Sequence, residues 1–491
     1  MNLIDRFLQA VAANPAAPAC IFEGQVTSLG MFHQLTCKAA LELHARGIGP
    51  GETVGVSMDH SPLHLATLLA LARLGAVSLP VHPNTAAPAK RRLMERYGAK
   101  RLVCRKDAPA LQEAELICLD AIAVDARAKL DLRFIDYWPE PAAPARVCLT
   151  SGTTGVPGSI LYTHAFWLER INSYLCLDQC DAQSRLMPSD LHLSLGSHAA
   201  FGALFAGGVT VFHPLNDLAA FANAINLHAV THVLMPPAMI KHLAARLPYD
   251  GIAFPTIRYL RIVGGGMTQH LVELATRKIT PHIYLPYGMS EMGSISLATP
   301  QMLLLDPESA GRLKPGVEMQ AVDAKGNVLP CGESGELRLR MPGMVQAYYL
   351  NEEKTAERFR DGWFMTRDCG FVTQDGLVKL EGRVDDKINL EGVKFFPERV
   401  ETVLNAHPQV QDSAVFVVED KERNKFLVAA VVPKSAPPFA LKLVDYCKQR
   451  KLGKMAPQRF VLVRELPRNA SGKIIRASLP ELFARKPETQ K

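Results

Sequence analysis

The sequence predicts an α/β protein: a large N-terminal domain of layered α/β subdomains with a small β-rich subdomain, then a small α+β C-terminal domain. Three observations carry this. Short apolar strands alternate with apolar helical segments over about the first 300 residues, the pattern of a largely parallel sheet. After about residue 305 the helices give way to short strands joined by turn dipeptides. From Asp386 onward 20 Lys and Arg stand against 12 Asp and Glu, a net of +8, whereas residues 1–385 carry a net of −1.

The opening stretch MNLIDRFLQAVAANP holds Asp5 and Arg6 inside its apolar run, which fits an amphipathic helix and not a signal peptide. Thr53–Met58 reads as a strand, His64–Gly75 as a helix stopped by its glycine, and Ala76–Val81 as the next strand. Strands recur at Arg101–Cys104, Val147–Leu149, Ile160–Tyr162, Val209–Phe212, His232–Met235 and Tyr259–Val263. The β-rich part is expected at Val317–Val322, Gly335–Arg340 and Leu377–Glu381, with turns at Lys325-Gly326-Asn327 and Asp375-Gly376. The tail reads as a helix at Glu398–Asn405, strands at Asp412–Val418 and Lys425–Val432, and a helix at Ala440–Leu452.

Composition narrows the class. Of 491 residues, 48% are hydrophobic and 21% charged, which excludes a disordered chain. The longest apolar stretch, Leu63–Val81, is interrupted by Arg73 and falls short of the run of about 18 that a membrane span needs. Ten cysteines are scattered without a C-x-x-C pair, which predicts reduced thiols, mostly buried, in a cytoplasmic protein with no zinc site. The basic tail is either a solvated surface or a surface for an anionic partner. No zinc-finger, helix-turn-helix or RNA-binding aromatic signature accompanies it, so no specific nucleic acid is expected.

Residues 150–159, Thr-Ser-Gly-Thr-Thr-Gly-Val-Pro-Gly-Ser, form the most telling segment. A loop of this composition between two strands offers backbone N–H groups and hydroxyls to a polyphosphate, and it is also what a flexible turn looks like. No G-K-[ST] follows, so it is not a Walker A loop. Four further segments come in order: Tyr287-Gly288-Met289-Ser290-Glu291, then Asp361–Asp368 around Trp363, then Gly382-Arg383-Val384-Asp385-Asp386-Lys387, and finally Leu466–Arg476 with Lys473 at its centre. Taken singly, Glu291 or Asp368 reads as a helix cap and Lys473 as a solvated cation.

Taken together, in this order and spacing, the set resembles the adenylate-forming superfamily: acyl- and aryl-CoA ligases, peptide-synthetase adenylation domains and luciferases. The resemblance runs from the first strand–helix units to Lys473 and is closest to acyl- or aryl-acid CoA ligases. It implies an adenylation core at 1–384 and a mobile C-terminal domain at 385–491. It also implies ATP, Mg²⁺, and coenzyme A or phosphopantetheine as acceptor. Thr150, Ser151, Gly152, Thr153, Thr154 and Gly155 would lie over the ATP phosphates. Glu291 would bind Mg²⁺ with Ser290 beside it on phosphate. Tyr287, Gly288, Gly265 and Gly266 would flank adenine and the acyl pocket. Asp368, supported by Arg383, would hold the ribose hydroxyls. Asp385 would be the hinge, Gly392 would line the thiol tunnel, and Lys473 would reach the carboxylate and the α-phosphate.

The same resemblance places an acyl pocket at His192, Ser194, His198, Gly266 and Met289, with apolar neighbours Leu193, Leu195 and Phe201. Ser194 stands where amino-acid-activating domains usually carry an aspartate, which argues for a simple carboxylic acid. Two departures stand out. The phosphate loop usually continues Pro-Lys-Gly and here reads Pro157-Gly158-Ser159, one cation short; Arg367 stands where glycine is usual. The implied activity is ATP-dependent activation of an aryl or acyl acid followed by thioester formation on coenzyme A. Transfer to an acidic acyl carrier protein, and a catalytically impaired nucleotide- or carrier-binding homologue, remain as alternatives. Lys473→Ala should lower adenylate formation about 10²–10³-fold while thioester formation from supplied acyl-adenylate persists; equal loss in both half-reactions would refute its role.

Overall fold

The computed structural model describes residues 1–106, 108–111, 114–119, 130–150, 158–213, 217–247, 251–390, 393–419, 425–434, 440–468 and 474–484. A six-stranded sheet runs Glu115–Cys118, Arg101–Cys104, Thr53–Ser57, Val77–Pro80, Pro144–Leu149 and Ser159–Thr163 in spatial order. The first five are parallel, and the last two form an antiparallel hairpin with Leu149 opposite Ser159. Parallel neighbours need a crossover, and the helix Pro62–Arg73 supplies one. Ser61 caps it by accepting from the His64 N–H, with Pro62 in its first turn.

Arg73 explains how an arginine sits in the longest apolar stretch. Its side chain is fully buried, and its guanidinium donates to the carbonyls of Leu132 (2.6 Å), Ile135 (2.9 Å) and Tyr137. The ring of Trp138 lies 4.4 Å from it. One helix residue thereby satisfies the backbone of an irregular segment about 60 residues further along the chain.

The second sheet is a continuous one. Its parallel part runs Pro18–Phe22, Val209–Val211, Arg185–Met187, His232–Met235, Tyr259–Ile262 and Ile283–Met289. At Ile283–Met289 the sense changes, and Gly293–Ala298, Ser309–Leu313, Leu377–Arg383, Trp363–Val372, Gly335–Arg340 and Glu318–Val322 follow in antiparallel register. The β-rich part expected after residue 305 is present. Its strands extend the parallel sheet instead of closing on themselves, because the tight hairpin from Ile283–Met289 to Gly293–Ala298 carries the ladder across.

The tail has cores of its own. Val410–Glu419, Lys425–Pro433 and Arg459–Leu462 form a three-stranded sheet. Alternate residues face opposite layers: Val415, Leu427 and Val431 pack with Leu404 and Leu443, whereas Ala414, Phe416, Val428 and Ala430 pack with Leu466 and Leu479. Every residue of both layers lies beyond 387. The opening segment is the helix Leu3–Ala13, begun by a capping box between Asn2 and Asp5. None of the ten cysteines forms a disulfide, and six are buried. Among the described residues no helix is long and apolar enough to cross a membrane.

Arg73→Met would strand one buried and two partly buried carbonyls, so the denaturant midpoint should fall by the equivalent of about 3 kcal/mol. Arg73→Lys should recover only part, since one ammonium cannot span all three. An unchanged midpoint would show that the Leu132–Tyr137 segment is held by other contacts.

Candidate active site

Four connections lie at the carboxyl ends of parallel strands, where ligands gather in open α/β sheets. Thr150 follows Pro144–Leu149, Asp190–His192 follow Arg185–Met187, Gly264–Gly266 follow Tyr259–Ile262, and Tyr287–Glu291 close Ile283–Met289. Thr150 is buried, and its N–H donates to the Gly158 carbonyl at 2.8 Å, tying the two ends of the Thr/Ser/Gly segment. Ser151, Gly152, Thr153, Thr154 and Gly155 lie outside the described residues.

Glu291 is buried, 7% exposed, in the turn after Ile283–Met289, with Ser290 half-buried beside it. The Tyr348 hydroxyl donates to its Oε1. Burial and the Glu291 charge push the Tyr348 phenol up, which keeps it a proton donor. Arg170, inside the helix His164–Asp178, holds the same turn by its backbone, donating to the carbonyls of Glu291 (2.9 Å), Gly343 (3.1 Å) and Met292. A preset, buried carboxylate is the hard oxygen donor that Mg²⁺ takes, so the residues present fit that ion.

Asp368 is the centre of a second cluster. Tyr287 Oη donates to Oδ2 at 2.6 Å and Arg383 Nη1 to Oδ1 at 3.1 Å. Asp368 and Arg383 face each other across adjacent strands, so the ladder register sets their pairing. The Asp368 N–H donates to Thr366 Oγ1 at 3.0 Å. Burial first, then the Asp368 charge, pushes the Tyr287 phenol well up. Gly288 allows the bulge beside Tyr287: a Cβ there would lie 2.3 Å from the Gly293 carbonyl oxygen. Gly265 and Gly266 are exposed, and a Cβ on Gly266 would meet nothing within 4 Å.

The residues expected around an acyl pocket divide. His192 is buried; its Nδ1 is 2.8 Å from Asp190 Oδ1, and Asp190 Oδ2 is 3.0 Å from His82 Nε2. These three offer ligand atoms within 4.8 Å of one another, a spacing open to a metal ion. However, the Asn84 N–H donates to His82 Nδ1 at 3.1 Å, so the His82 proton sits on Nε2 and points at Asp190. The set is a hydrogen-bonded relay that leaves His192 Nε2 buried with no protein partner. Burial holds His192 below the ordinary histidine range, so that nitrogen keeps its lone pair at neutral pH. Ser194 Oγ pairs with Cys148 Sγ. His198 is buried between the rings of Tyr162 and Tyr174, and Phe201 packs on Trp167, so both are core residues. Met289 packs with the cluster of Met292, Tyr348 and Phe364.

Asp385 accepts from Arg367 Nη2 in an ion pair, and Arg367 has φ +62°, left-handed backbone that glycine adopts freely. Gly392 and Lys473 lie outside the described residues. The flanks of Lys473 are fixed: Arg468 and Ile474 form a β-bridge, and the Ile475 N–H donates to the Pro467 carbonyl at 2.9 Å. Arg476 pairs with Glu401 (2.8 Å), Glu398 (2.7 Å) and Asp386 (3.4 Å).

A model of AMP-binding enzymes matches residues 7–349, and a model of their C-terminal domain matches residues 399–473. The chain belongs to the AMP-binding enzyme family. Indoleacetate–CoA ligase of Aromatoleum aromaticum is 28% identical over 99% of each chain. A fatty acid–[acyl-carrier-protein] ligase of Streptomyces coeruleorubidus is 27% identical over 96% of this chain and 94% of the relative. The structure of O-succinylbenzoate coenzyme A synthetase from Bacillus subtilis with AMP superposes with a TM-score of 0.84 at 25% identity, over 96% of this chain and 97% of that one. Within this AMP-binding enzyme, Arg170 and Tyr348 hold the Glu291 turn and its carboxylate, and motif reading singled out neither. A lone arginine among apolar helix positions was the one available signal, at Arg170.

Arg367→Gly removes a half-exposed ion pair worth at most about 1 kcal/mol and relieves left-handed strain of about 1 kcal/mol. Its denaturant midpoint should therefore stay within the equivalent of about 1 kcal/mol of wild type. A larger loss would make the Asp385 pair a structural necessity.

Proposed function

We propose that this AMP-binding enzyme is an AMP-forming acid–thiol ligase. It activates a non-amino-acid carboxylic acid, aryl or acyl, as the adenylate and passes the acyl group to coenzyme A. The observation that carries this reading is the pair of clusters at one sheet edge: buried Glu291 under Tyr348, and Asp368 between Tyr287 and Arg383. Relatives that match the chain over nearly its whole length and are ligases of acids to coenzyme A or carrier protein support it.

A carboxylate oxygen attacks the α-phosphorus, the α–β bridging P–O bond breaks, and the electron pair leaves with pyrophosphate. Two anions must meet, so positioning and placed cations supply most of the acceleration. Asp368, oriented by Tyr287 and Arg383, takes the two ribose hydroxyls. Glu291 holds Mg²⁺, which when bound neutralises phosphate charge. Lys473, in the chain between the bridged residues Arg468 and Ile474, reaches the carboxylate and α-phosphate; Thr150–Gly155 and Ser290 contact the phosphates. Gly265, Gly266, Gly288 and Tyr287 flank the adenine, and His192, Ser194 and Met289 border the acid.

Residues 1–384 form the adenylation core and 385–491 the domain that carries Lys473, with Asp385 as hinge; the separate apolar layers beyond residue 387 support the division. In the second half-reaction the thiol sulfur bonds to the acyl carbon and AMP leaves, with Gly392 beside the pantetheine arm. The carrier-protein relative supports an acyl carrier protein as the alternative acceptor, and the +8 tail suits either that partner or the phosphates of coenzyme A. Ten cysteines without a disulfide support a cytoplasmic enzyme.

Acid-dependent ATP–pyrophosphate exchange across aryl, short-chain and long-chain acids tests the proposal; exchange with one class supports it, and none with any acid refutes it. Thioester formed with coenzyme A fixes the acceptor. Asp368→Ala should weaken ATP and AMP alike, by about 10–100-fold, because both carry the ribose. Loss of ATP binding alone would remove Asp368 from the ribose.

A further inference from the structure

Gly158 leaves a space, and a cation from elsewhere in the chain fills it. A Cβ built on Gly158 would lie 2.8 Å from Lys354 Nζ, 2.9 Å from Thr150 Oγ1 and 3.0 Å from Tyr348 Cε1. Lys354 comes from the short helix Glu352–Arg358, and its ammonium stands 4.7 Å from the centre of the Tyr348 ring. The hydroxyl of that same tyrosine is bonded to Glu291. Gly158, Lys354, Tyr348 and Glu291 thus form one continuous line from the root of the Thr/Ser/Gly segment to the buried carboxylate.

The placement is built. The Tyr349 N–H donates to the Ser159 carbonyl at 2.7 Å, and Ser159 Oγ donates back to the Tyr349 carbonyl at 2.9 Å. The Tyr348 N–H donates to Thr355 Oγ1 at 2.9 Å, and the Lys354 N–H to Asn351 Oδ1 at 2.9 Å. These bonds fix residues 348–355 against the strand that begins at Ser159. Lys354 is half-buried; burial is the largest influence on its ammonium and lowers its pKa, with the Glu291 charge opposing.

We infer that Lys354 is the phosphate cation of this enzyme: its ammonium holds the β- and γ-phosphates of ATP and the departing pyrophosphate, from a remote segment and through the gap that Gly158 leaves. The inference rests on the adenylation reading above. When the α–β bridging bond breaks, the electron pair leaves on pyrophosphate, and a fixed ammonium beside it stabilises the developing charge. Gly158 and Lys354 are complementary, since a side chain at 158 would displace the ammonium.

The test uses the full chain with Mg²⁺ and three probes: ATP, AMP and inorganic pyrophosphate. Lys354→Met should weaken ATP and pyrophosphate by about 10–100-fold, the range of one charge-assisted hydrogen bond, and leave AMP within twofold. Gly158→Lys alone should crowd Lys354 and give no gain in ATP affinity. Combined with Lys354→Ala, it should return most of the ATP affinity by moving the cation back to the loop. Unchanged ATP affinity in Lys354→Met overturns the inference. Equal loss of ATP and AMP overturns it as well, by showing a structural role. A wild type that binds ATP but exchanges with no acid counts against the ligase reading alone; one that binds neither ATP nor pyrophosphate overturns both.

Discussion

Burying the Glu291 carboxylate is the constraint on which the site depends. Moving such a charge out of water costs several kcal/mol unless hydrogen bonds and nearby cations offset it. Tyr348 supplies the hydrogen bond, and Lys354 and Arg170 supply positive charge within the same neighbourhood. Each of these donors locks a different segment. Arg170 brings the helix His164–Asp178 to the turn, and Tyr348 brings the strap after Gly343. The carboxylate is therefore preset before any cation arrives, and a preset ligand needs no reorganisation when charge develops.

The strand positions were legible because burial on both faces writes itself as a short apolar run. Arg101–Cys104 and His232–Met235 match the observed strands residue for residue, and Gly335–Arg340 does so through its alternation of apolar and charged residues. Helix ends were legible where punctuation is strong, as at the glycine after Pro62–Arg73. What was not legible is how far the antiparallel strands extend one sheet, since pairing partners lie far apart in sequence. The site divides the same way. Glu291, Asp368 and Arg383 stand in local motifs, whereas Arg170 and Tyr348 act on a turn 121 and 57 residues away and carry no spacing that announces it. His198, a histidine in a pocket-like run, is stacked by the fold between two tyrosines, a contact its sequence neighbours do not announce.

Asp368 and Arg367 show how one strand serves two tasks. Successive side chains of a strand point to opposite faces. Asp368 turns to Tyr287 and Arg383, while its neighbour Arg367 turns to Asp385 and Glu336. Any change that rotates this strand segment acts on both faces together. The left-handed backbone at Arg367 is kept although glycine would fit it better, and the ion pair to Asp385 is the compensation the structure offers.

A phosphate site fixes charge in space, and the chain is free to deliver that charge from anywhere that reaches. A motif with its lysine replaced reads as a loss of charge only while the loop is viewed by itself. The ammonium of Lys354 lies within contact of where a side chain at Gly158 would begin, and it arrives from a helix nearly 200 residues later in the chain. The glycine is then part of the device, because any larger residue there would push the ammonium away from the Tyr348 ring and Glu291. The same logic makes Lys354 and Gly158 a coupled pair: each substitution has an effect whose size depends on the state of the other, and only the two together restore the charge at that point.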